Sequence, residues 1–409
     1  MIKKDKNNKL WTKDFSCITV ATILSAIGGE AMNLPISLLV FDETKSTFLS
    51  ALIMICGMLP DIILPVIIAP FIDRGNKKIW IISLDIFMVF IYSGMGFWTL
   101  NHRFNYALYI IFILVVATNS IIYQLAYSSW YPDLIEKGSE QQGYAVSVTI
   151  YPLVTIIVSP IVTFAYGKTS IGYIFLFVAA LTMVSVILES CITKINISAK
   201  DIYNFLQYIE DIKAGFHYLK KEKGIRNIYT YMSITSGATE GVNLITQAYY
   251  QTQPWLTVSM LGFLKSAEMI GRVISGSIHY NAEIKRKKRF GFTKIVYLTY
   301  DFMDAILLFL PFPLMLANRF ICGGLGCGSA TIRECAIYSY LPNDIRARVK
   351  AIFDVIFSVG GIAFQFIAGA LGSILPYRLV ALILGITTFI SAVIFIVIPG
   401  NENRVVYEA

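Results

Sequence analysis

Among the ionisable residues inside long apolar runs of this sequence, nine stand out: the acids Glu30, Asp61, Glu240, Glu268, Asp301 and Asp304, and the bases Lys265, Arg272 and Arg319. In hydrocarbon such a group costs about 2.5 to 3.5 kcal/mol on insertion scales, so it is expected to face a cavity or a partner of opposite charge. Acids outnumber bases, and one-to-one pairing would leave carboxyls over. A carboxyl held away from water can exchange a proton under physiological conditions, which is the chemistry that proton coupling or cation recognition requires. Glu30 and Glu240 each stand about 15 residues into their runs, about 22 Å along a helix at 1.5 Å per residue, which puts both near a membrane midplane. Hydrogen-bonding to a neighbouring helix is the competing role for these two acids.

The remaining charges have helical spacing. Lys265, Glu268 and Arg272, at i, i+3 and i+7, share one helix face, where each has an opposite charge at hand. They read as a local ion network. Asp301 and Asp304 also share a face, without a base on the same helix at that depth. They suit a cavity, or partnership with Lys265 or Arg319. Asp61 lies between Pro60 and Pro65, where missing backbone donors and a kink would open carbonyls to a cavity or serve packing alone.

Long apolar helices must position these groups. Of 409 residues, 56% are hydrophobic and 15% charged, against roughly 25% charged in soluble domains. Apolar runs recur at about the 20 residues that a helix needs to cross hydrocarbon, and lipid admits only helices or closed barrels. Windows of about 19 residues give twelve spans. The first six start near Phe15, Phe48, Ile79, Tyr106, Gly143 and Ser170. The second six start near Ile225, Thr257, Phe292, Phe312, Val349 and Tyr377, and the expected fold is all-α. The run Phe15 to Phe41 is too long for a secretory signal and is taken as a retained span.

Lysine and arginine fix the expected orientation. With both termini in the cytoplasm, that side receives Lys3, Lys4, Lys6, Lys9, Lys13, Arg74, Lys77, Lys78, the run Lys285 to Arg289, and Arg346, Arg348 and Lys350. The other side keeps Lys45, Arg103, Lys168 and Arg378. The same distribution accounts for the net charge of +8 through anionic lipid headgroups, and no nucleic-acid partner is expected.

The chain repeats itself. Glu30-Ala-Met-Asn33-Leu34 aligns with Glu240-Gly-Val-Asn243-Leu244, and the same offset aligns Ser129-Trp-Tyr-Pro132-Asp-Leu-Ile135 with Ser339-Tyr-Leu-Pro342-Asn-Asp-Ile345. One register maps span n onto span n+6, and repeated halves with a site at their interface are a recurring membrane architecture. The halves are read as 1–193 and 225–409, joined by 194–224. In that linker Ile202, Phe205, Leu206, Ile209, Ile212, Phe216 and Leu219 recur at helical spacing near Lys213, Lys220, Lys221 and Lys223, as in a helix lying on the cytoplasmic interface.

Other chemistries find no support. Cys17, Cys56, Cys191, Cys322, Cys327 and Cys335 lie in or beside spans without paired ligand spacing, so neither disulfides nor structural zinc are expected. His102, His217 and His279 are scattered. The sequence has no metal signature and no G-x-x-x-x-G-K-[ST] motif, so ATP drive within this chain is not expected.

The loop after span 2, Ala69-Pro-Phe-Ile-Asp73-Arg74-Gly75-Asn-Lys77-Lys78, resembles the signature loop of the major facilitator superfamily, G-x-x-x-D-R-x-G-R-K, with Ala69 at the first glycine and the second glycine shifted. The resemblance implies two pseudo-symmetric six-helix halves. It further implies that Asp73 caps or pairs with neighbouring helix ends to hold one face of a gate, while Arg74, Lys77 and Lys78 contact acids and headgroups. A basic loop serving topology alone is the plainer reading. Ser83-Leu-Asp85, Asp211-Ile-Lys-Ala-Gly215-Phe-His-Tyr-Leu219 before Gly224-Ile-Arg226, and Pro342 before Arg346-Ala-Arg348 are similar to the macrolide-efflux and enterobactin-exporter type branch. Arg319-Phe-Ile-Cys-Gly323-Gly-Leu-Gly326 in span 10 resembles the arginine-glycine motif that proton-coupled members carry in span 4, where this chain has no arginine.

What the resemblance implies is a secondary transporter working by alternating access, a proton-driven exporter of drug-like or amphipathic molecules. An importer or exchanger of a small metabolite is the alternative, and a non-transporting receptor or scaffold the rival from another class. The chain is expected to be no enzyme, to need a proton gradient and no cofactor, to act as a monomer, and to reside in the inner (cytoplasmic) membrane.

Overall fold

A computed structural model describes residues 10–136, 138–193, 210, 213, 216–281 and 284–409, and among these there are helices and no strand. Six long helices precede the central polar stretch: α1 (Lys13–Thr44), α2 (Thr47–Arg74), α3 (Lys77–Asn101), α4 (Tyr106–Leu134), α5 (Glu140–Tyr166) and α6 (Ile171–Ser190). Six follow it: α7 (Lys223–Thr252), α8 (Val258–Asn281), α9 (Arg286–Ile306), α10 (Phe312–Tyr340), α11 (Asn343–Gly372) and α12 (Tyr377–Ala392). A π-turn, Val393–Val397, continues α12, and the short α13 (Gly400–Tyr407) comes last. Local caps set several starts. Asn76 accepts the Ile79 amide at 3.3 Å ahead of α3, and Asn105 accepts the Leu108 amide at 3.3 Å ahead of α4, satisfying amides that lack a partner in the first turn.

Among the described residues, eight helices are by length and composition apolar enough to cross a membrane: α1 to α6, α11 and α12. The other four long helices, α7 to α10, stand where four of the expected spans begin and fall below that apolarity. These four carry Glu240, the Lys265 group, the Asp301–Asp304 pair and Arg319, and their polar faces lower the average. A helix whose charges face protein can be long without being apolar all round. The other helices show the inverted surface of a membrane protein, with large apolar side chains outermost: Phe90 is 71% exposed and Val148 70%. This is a multi-pass membrane protein.

Two compact units make up the chain: Met1–Ile36 with Leu59–Asn204, and Ser37–Met58 with Phe205–Ala409. Both changes of unit fall beside a proline, Pro35 inside α1 and Pro60 in α2, where a backbone donor is missing from the helix. In the first unit Phe15, Ile18, Ile72, Trp130, Tyr131 and Leu134 form a core. There α3 and α6 approach closely: a Cβ on Gly172 would stand 2.9 Å from the Gly96 carbonyl oxygen, the small-residue contact that membrane helices favour. In the second unit Ile225, Tyr231, Phe290, Ala336, Val349 and Tyr407 belong to one core. Leu219 joins it, whereas the linker positions Ile202, Phe205, Leu206, Ile209 and Ile212 lie outside the described residues.

Candidate functional site

Seven of the nine intramembrane charges belong to the second unit, and the structure brings six of them into one string. Arg319 on α10 donates from Nη1 to Asp304 Oδ1 on α9 at 2.8 Å, and the two side chains are 3% and 5% exposed. Thr239 on α7 donates to Asp304 Oδ2 at 3.3 Å. Glu268 on α8 acts electrostatically on both Asp304 and Arg319 and accepts from Arg272 at 2.7 Å. Glu240 on α7 is in turn acted on by Lys265 and Glu268. Charges of both signs from four helices therefore form one connected network. Glu268 and Arg272 pair along α8 at 2.7 Å, one turn apart, and electrostatic links run from Glu268 to α7, α9 and α10.

Asp301 stands one turn before Asp304 and is 1% exposed. The Tyr231 hydroxyl on α7 donates to its Oδ2 at 3.0 Å. Asn318, beside Arg319, donates to the Met303 carbonyl at 2.9 Å, which fixes α10 against α9 at the level of the ion pair. The second terminal nitrogen of Arg319, Nη2, is buried without a protein hydrogen-bond partner. A guanidinium presents five donors in a rigid fork, and this one has a donor left for an acceptor from outside the protein. Geometry this close depends on glycine. A Cβ on Gly323 would stand 2.0 Å from the Glu268 carbonyl oxygen, and one on Gly271 2.0 Å from that of Phe320. The glycines that follow Arg319 in sequence thus seat α10 on α8.

In the first unit Glu30 accepts a hydrogen bond from Ser159 on α5. Asp61 is exposed on α2, which continues unbroken past Pro60 and Pro65. In the loop with the signature-like sequence, Asp73 and Arg74 end α2, and their side chains lie outside the described residues. Lys77 is buried, and Lys78 donates to the Ser190 and Ile192 carbonyls at 2.8 and 2.6 Å, tying α3 to the end of α6. The shifted glycine of that loop, Gly75, lies against Trp80, whose Nε1 would be 2.4 Å from an added Cβ.

A pocket of about 750 Å³ opens in the second unit between α7, α10 and α11, with Tyr229, Glu334, Cys335, Tyr338, Arg346 and Phe353 among its walls. That volume suits a small organic molecule. The Arg346 guanidinium lies 3.6 Å from the Tyr338 ring centre and donates to the Tyr338 and Leu341 carbonyls at 2.7 and 3.0 Å. Of these residues the sequence points to Arg346, for orientation and resemblance, and to Cys335 as one of the cysteines beside spans. Tyr231 and Thr239 were also missed, because a tyrosine or threonine in an apolar run carries no signal until its partner on another helix is known. All six cysteines are free, and no metal-ligating cluster occurs among the described residues.

No family model matches the chain, and no curated protein sequence matches it. Solved structures do. The chain is similar to the nucleoside transporter NupG, with 12% identity over 94% of this chain and 99% of that one and a TM-score of 0.69. It is similar to a POT family transporter in complex with 5-aminolevulinic acid, with 11% identity over 95% and 96% of the two chains and a TM-score of 0.68. It is also similar to the peptide transporter POT in complex with alafosfalin, with 11% identity over 96% and 95% and a TM-score of 0.71. The chain therefore has the all-helical fold of these solved structures.

Proposed function

We propose that this chain is a proton-coupled secondary transporter that carries amphipathic small molecules outward across the cell membrane, with its termini in the cytoplasm and the network of α7 to α10 as its coupling element. The observation that supports this reading most directly is the Asp304–Arg319 pair, buried between two membrane helices and joined through Glu268 to α8. A buried pair is a two-state device. A proton delivered to the Asp304 carboxylate cancels its charge and releases Arg319 to another acceptor, and loss of that proton restores the pair. Glu240 and Glu30, near the middle of α7 and α1, are the other carboxyls that would take part. The pocket walled by Tyr229, Tyr338 and Phe353 offers aromatic surface to the cargo, and the basic side chains of Arg346 and Lys350 at its walls fit the cytoplasmic side by the distribution of lysine and arginine. The protein's own residues supply this chemistry, with a proton gradient as the drive and no cofactor.

The test is pH-gradient-driven uptake of cationic dyes, macrolides and siderophores into inverted vesicles containing the protein or its Glu30→Gln/Glu240→Gln double variant. Gradient-dependent uptake that the double variant loses is the expected result. Absence of uptake for every compound would overturn the cargo and the direction. A second reading, import or exchange of a small polar metabolite, is favoured by the alternation of acids and bases in the network, which suits a solute carrying both charges. The solved relatives named above include transporters of nucleosides and peptides, and uptake of such solutes into right-side-out vesicles would select it.

A further inference from the structure

A second set of buried acids lies in the first unit, apart from the network of α7 to α10. Glu189, at the end of α6, is 0% exposed, and Asp85 on α3 is 6% exposed. The Tyr123 hydroxyl on α4 donates to Glu189 Oε1 at 2.9 Å, and Asp85 lies close enough to act electrostatically on both Glu189 and Tyr123. Asp85 Oδ2 and Glu189 Oε2 are buried without a protein hydrogen-bond partner. The other titratable groups facing this place are phenols: Tyr92 on α3, which Asp85 acts on, and Tyr127 on α4, whose hydroxyl accepts from Thr22 on α1 at 3.0 Å. Among the described residues no ammonium or guanidinium acts on either carboxyl. Lys78, the cation that reaches the end of α6, spends its ammonium on the Ser190 and Ile192 carbonyls.

Two carboxylates enclosed together without a cation cannot both keep their charge, since desolvation and mutual repulsion act in the same sense. A proton on one of them removes one charge from the pair and gives a buried oxygen a hydrogen to donate. We propose that Asp85 and Glu189 form a proton-binding site in the first unit, the two acids together holding one exchangeable proton while Tyr123 holds Glu189 in place. The proton comes from water as hydronium and returns to water, and no bond other than O–H is made or broken. Glu189 lies one residue from the end of α6, which gives the site a short path to the aqueous phase, whereas Glu30 and Glu240 lie deep in their helices. The site goes beyond the transport reading, which places the coupling carboxyls elsewhere, and its protonation can be measured whether or not any cargo moves.

The experiment is infrared difference spectroscopy of the full chain in lipid, titrated through neutral pH in H₂O and D₂O. The expected result is a carbonyl stretch from one protonated carboxyl per chain that is absent in Asp85→Asn and in Glu189→Gln, and retained in the Glu30→Gln/Glu240→Gln double variant. In Tyr123→Phe, which leaves both acids in place and guards against misfolding of the acid variants, the same band shifts in frequency because one hydrogen bond to Glu189 is gone. A band that persists in both single variants, or one that is displaced by sodium at constant pH, would overturn the proposal. Failure of the uptake assay with this band present would sink the transport reading alone.

Discussion

Ser37, near the C-terminal end of α1, donates a hydrogen bond to the side chain of Gln247 on α7, 210 positions later. That separation is the one that relates Glu30 to Glu240 and Asn33 to Asn243, so positions equivalent in the repeat meet face to face. One turn on, Gln251 donates to the Leu38 carbonyl at 2.8 Å, and Thr47 on α2 donates to the Gly369 carbonyl on α11 at 3.0 Å. The stretch Ser37–Met58 is thereby seamed to α7 and α11.

The seam depends on a glycine. A Cβ on Gly369 would stand 2.4 Å from that of Ala51, and overpacking of this kind costs about 1 to 3 kcal/mol. Because 1.4 kcal/mol is tenfold in an equilibrium, Gly369→Val is expected to raise the alkylation rate of a Ser37→Cys reporter about tenfold. An unchanged rate would show that the seam does not open through α2 and α11.

Asp304 and Arg319 should be costly to separate and cheaper to lose together. Removing one member of a buried pair costs about 3 to 5 kcal/mol, because the other charge is stranded, whereas replacing both with apolar residues is often nearly neutral. Asp304→Leu is therefore expected to abolish most of the folded yield and lower the thermal midpoint strongly, while the Asp304→Leu/Arg319→Leu double variant recovers folding and loses proton-dependent transport. Size-exclusion of a fluorescent fusion reads the first effect and vesicle uptake the second. Equal damage from single and double variants would mean that the pair is not the stabilising element.

The sequence revealed where charge sat in apolar runs, and six of the seven residues expected in the second half do converge. Their partners were another matter. That Asp304 takes Arg319, with Thr239 and Tyr231 donating to the two acids, depends on how α7, α9 and α10 are rotated, and periodicity along one helix says nothing about its neighbour's rotation. Most helix starts were legible because the apolar runs begin beside them, whereas α9 and α11 begin at Arg286 and Asn343, ahead of the runs read from Phe292 and Val349, because their first turns are polar. Glu189 was not, since it stands at the end of its apolar run, four residues before the polar stretch that begins at Thr193, and only the fold shows that it is buried beside Tyr123. The pocket at Arg346 was invisible for a similar reason: its walls come from three helices, each contributing side chains ordinary in themselves.

Natural cysteines report on that pocket. Cys335 is exposed and lines it, whereas Cys191 is exposed at the end of α6 in the first unit. Saturating cargo is expected to slow maleimide labelling of Cys335 by about tenfold, the change that 1.4 kcal/mol of occupancy-linked protection would give, and to leave Cys191 unaffected. Mass spectrometry of each peptide provides the rate, and equal protection at both sites would point to a general conformational change instead of occupancy.

The last prediction uses two adjacent glycines with different surroundings. A Cβ on Gly323 would meet the Glu268 backbone at 2.0 Å, whereas one on Gly324 finds its nearest neighbour, the Gly271 carbonyl oxygen, at an ordinary 3.5 Å. Backbone cannot step aside as a side chain can, so Gly323→Ala must push α8 and α10 apart, at about 1 to 3 kcal/mol, and carry Glu268 away from Arg319. Gly324→Ala keeps the spacing and gains helix propensity of up to about 1 kcal/mol. The first variant should melt several degrees lower and lose transport, and the second should melt at or above the parent temperature with transport intact. If both behave alike, α8 and α10 do not depend on this crossing, and the link between Glu268 and the Asp304–Arg319 pair must be carried by side chains alone.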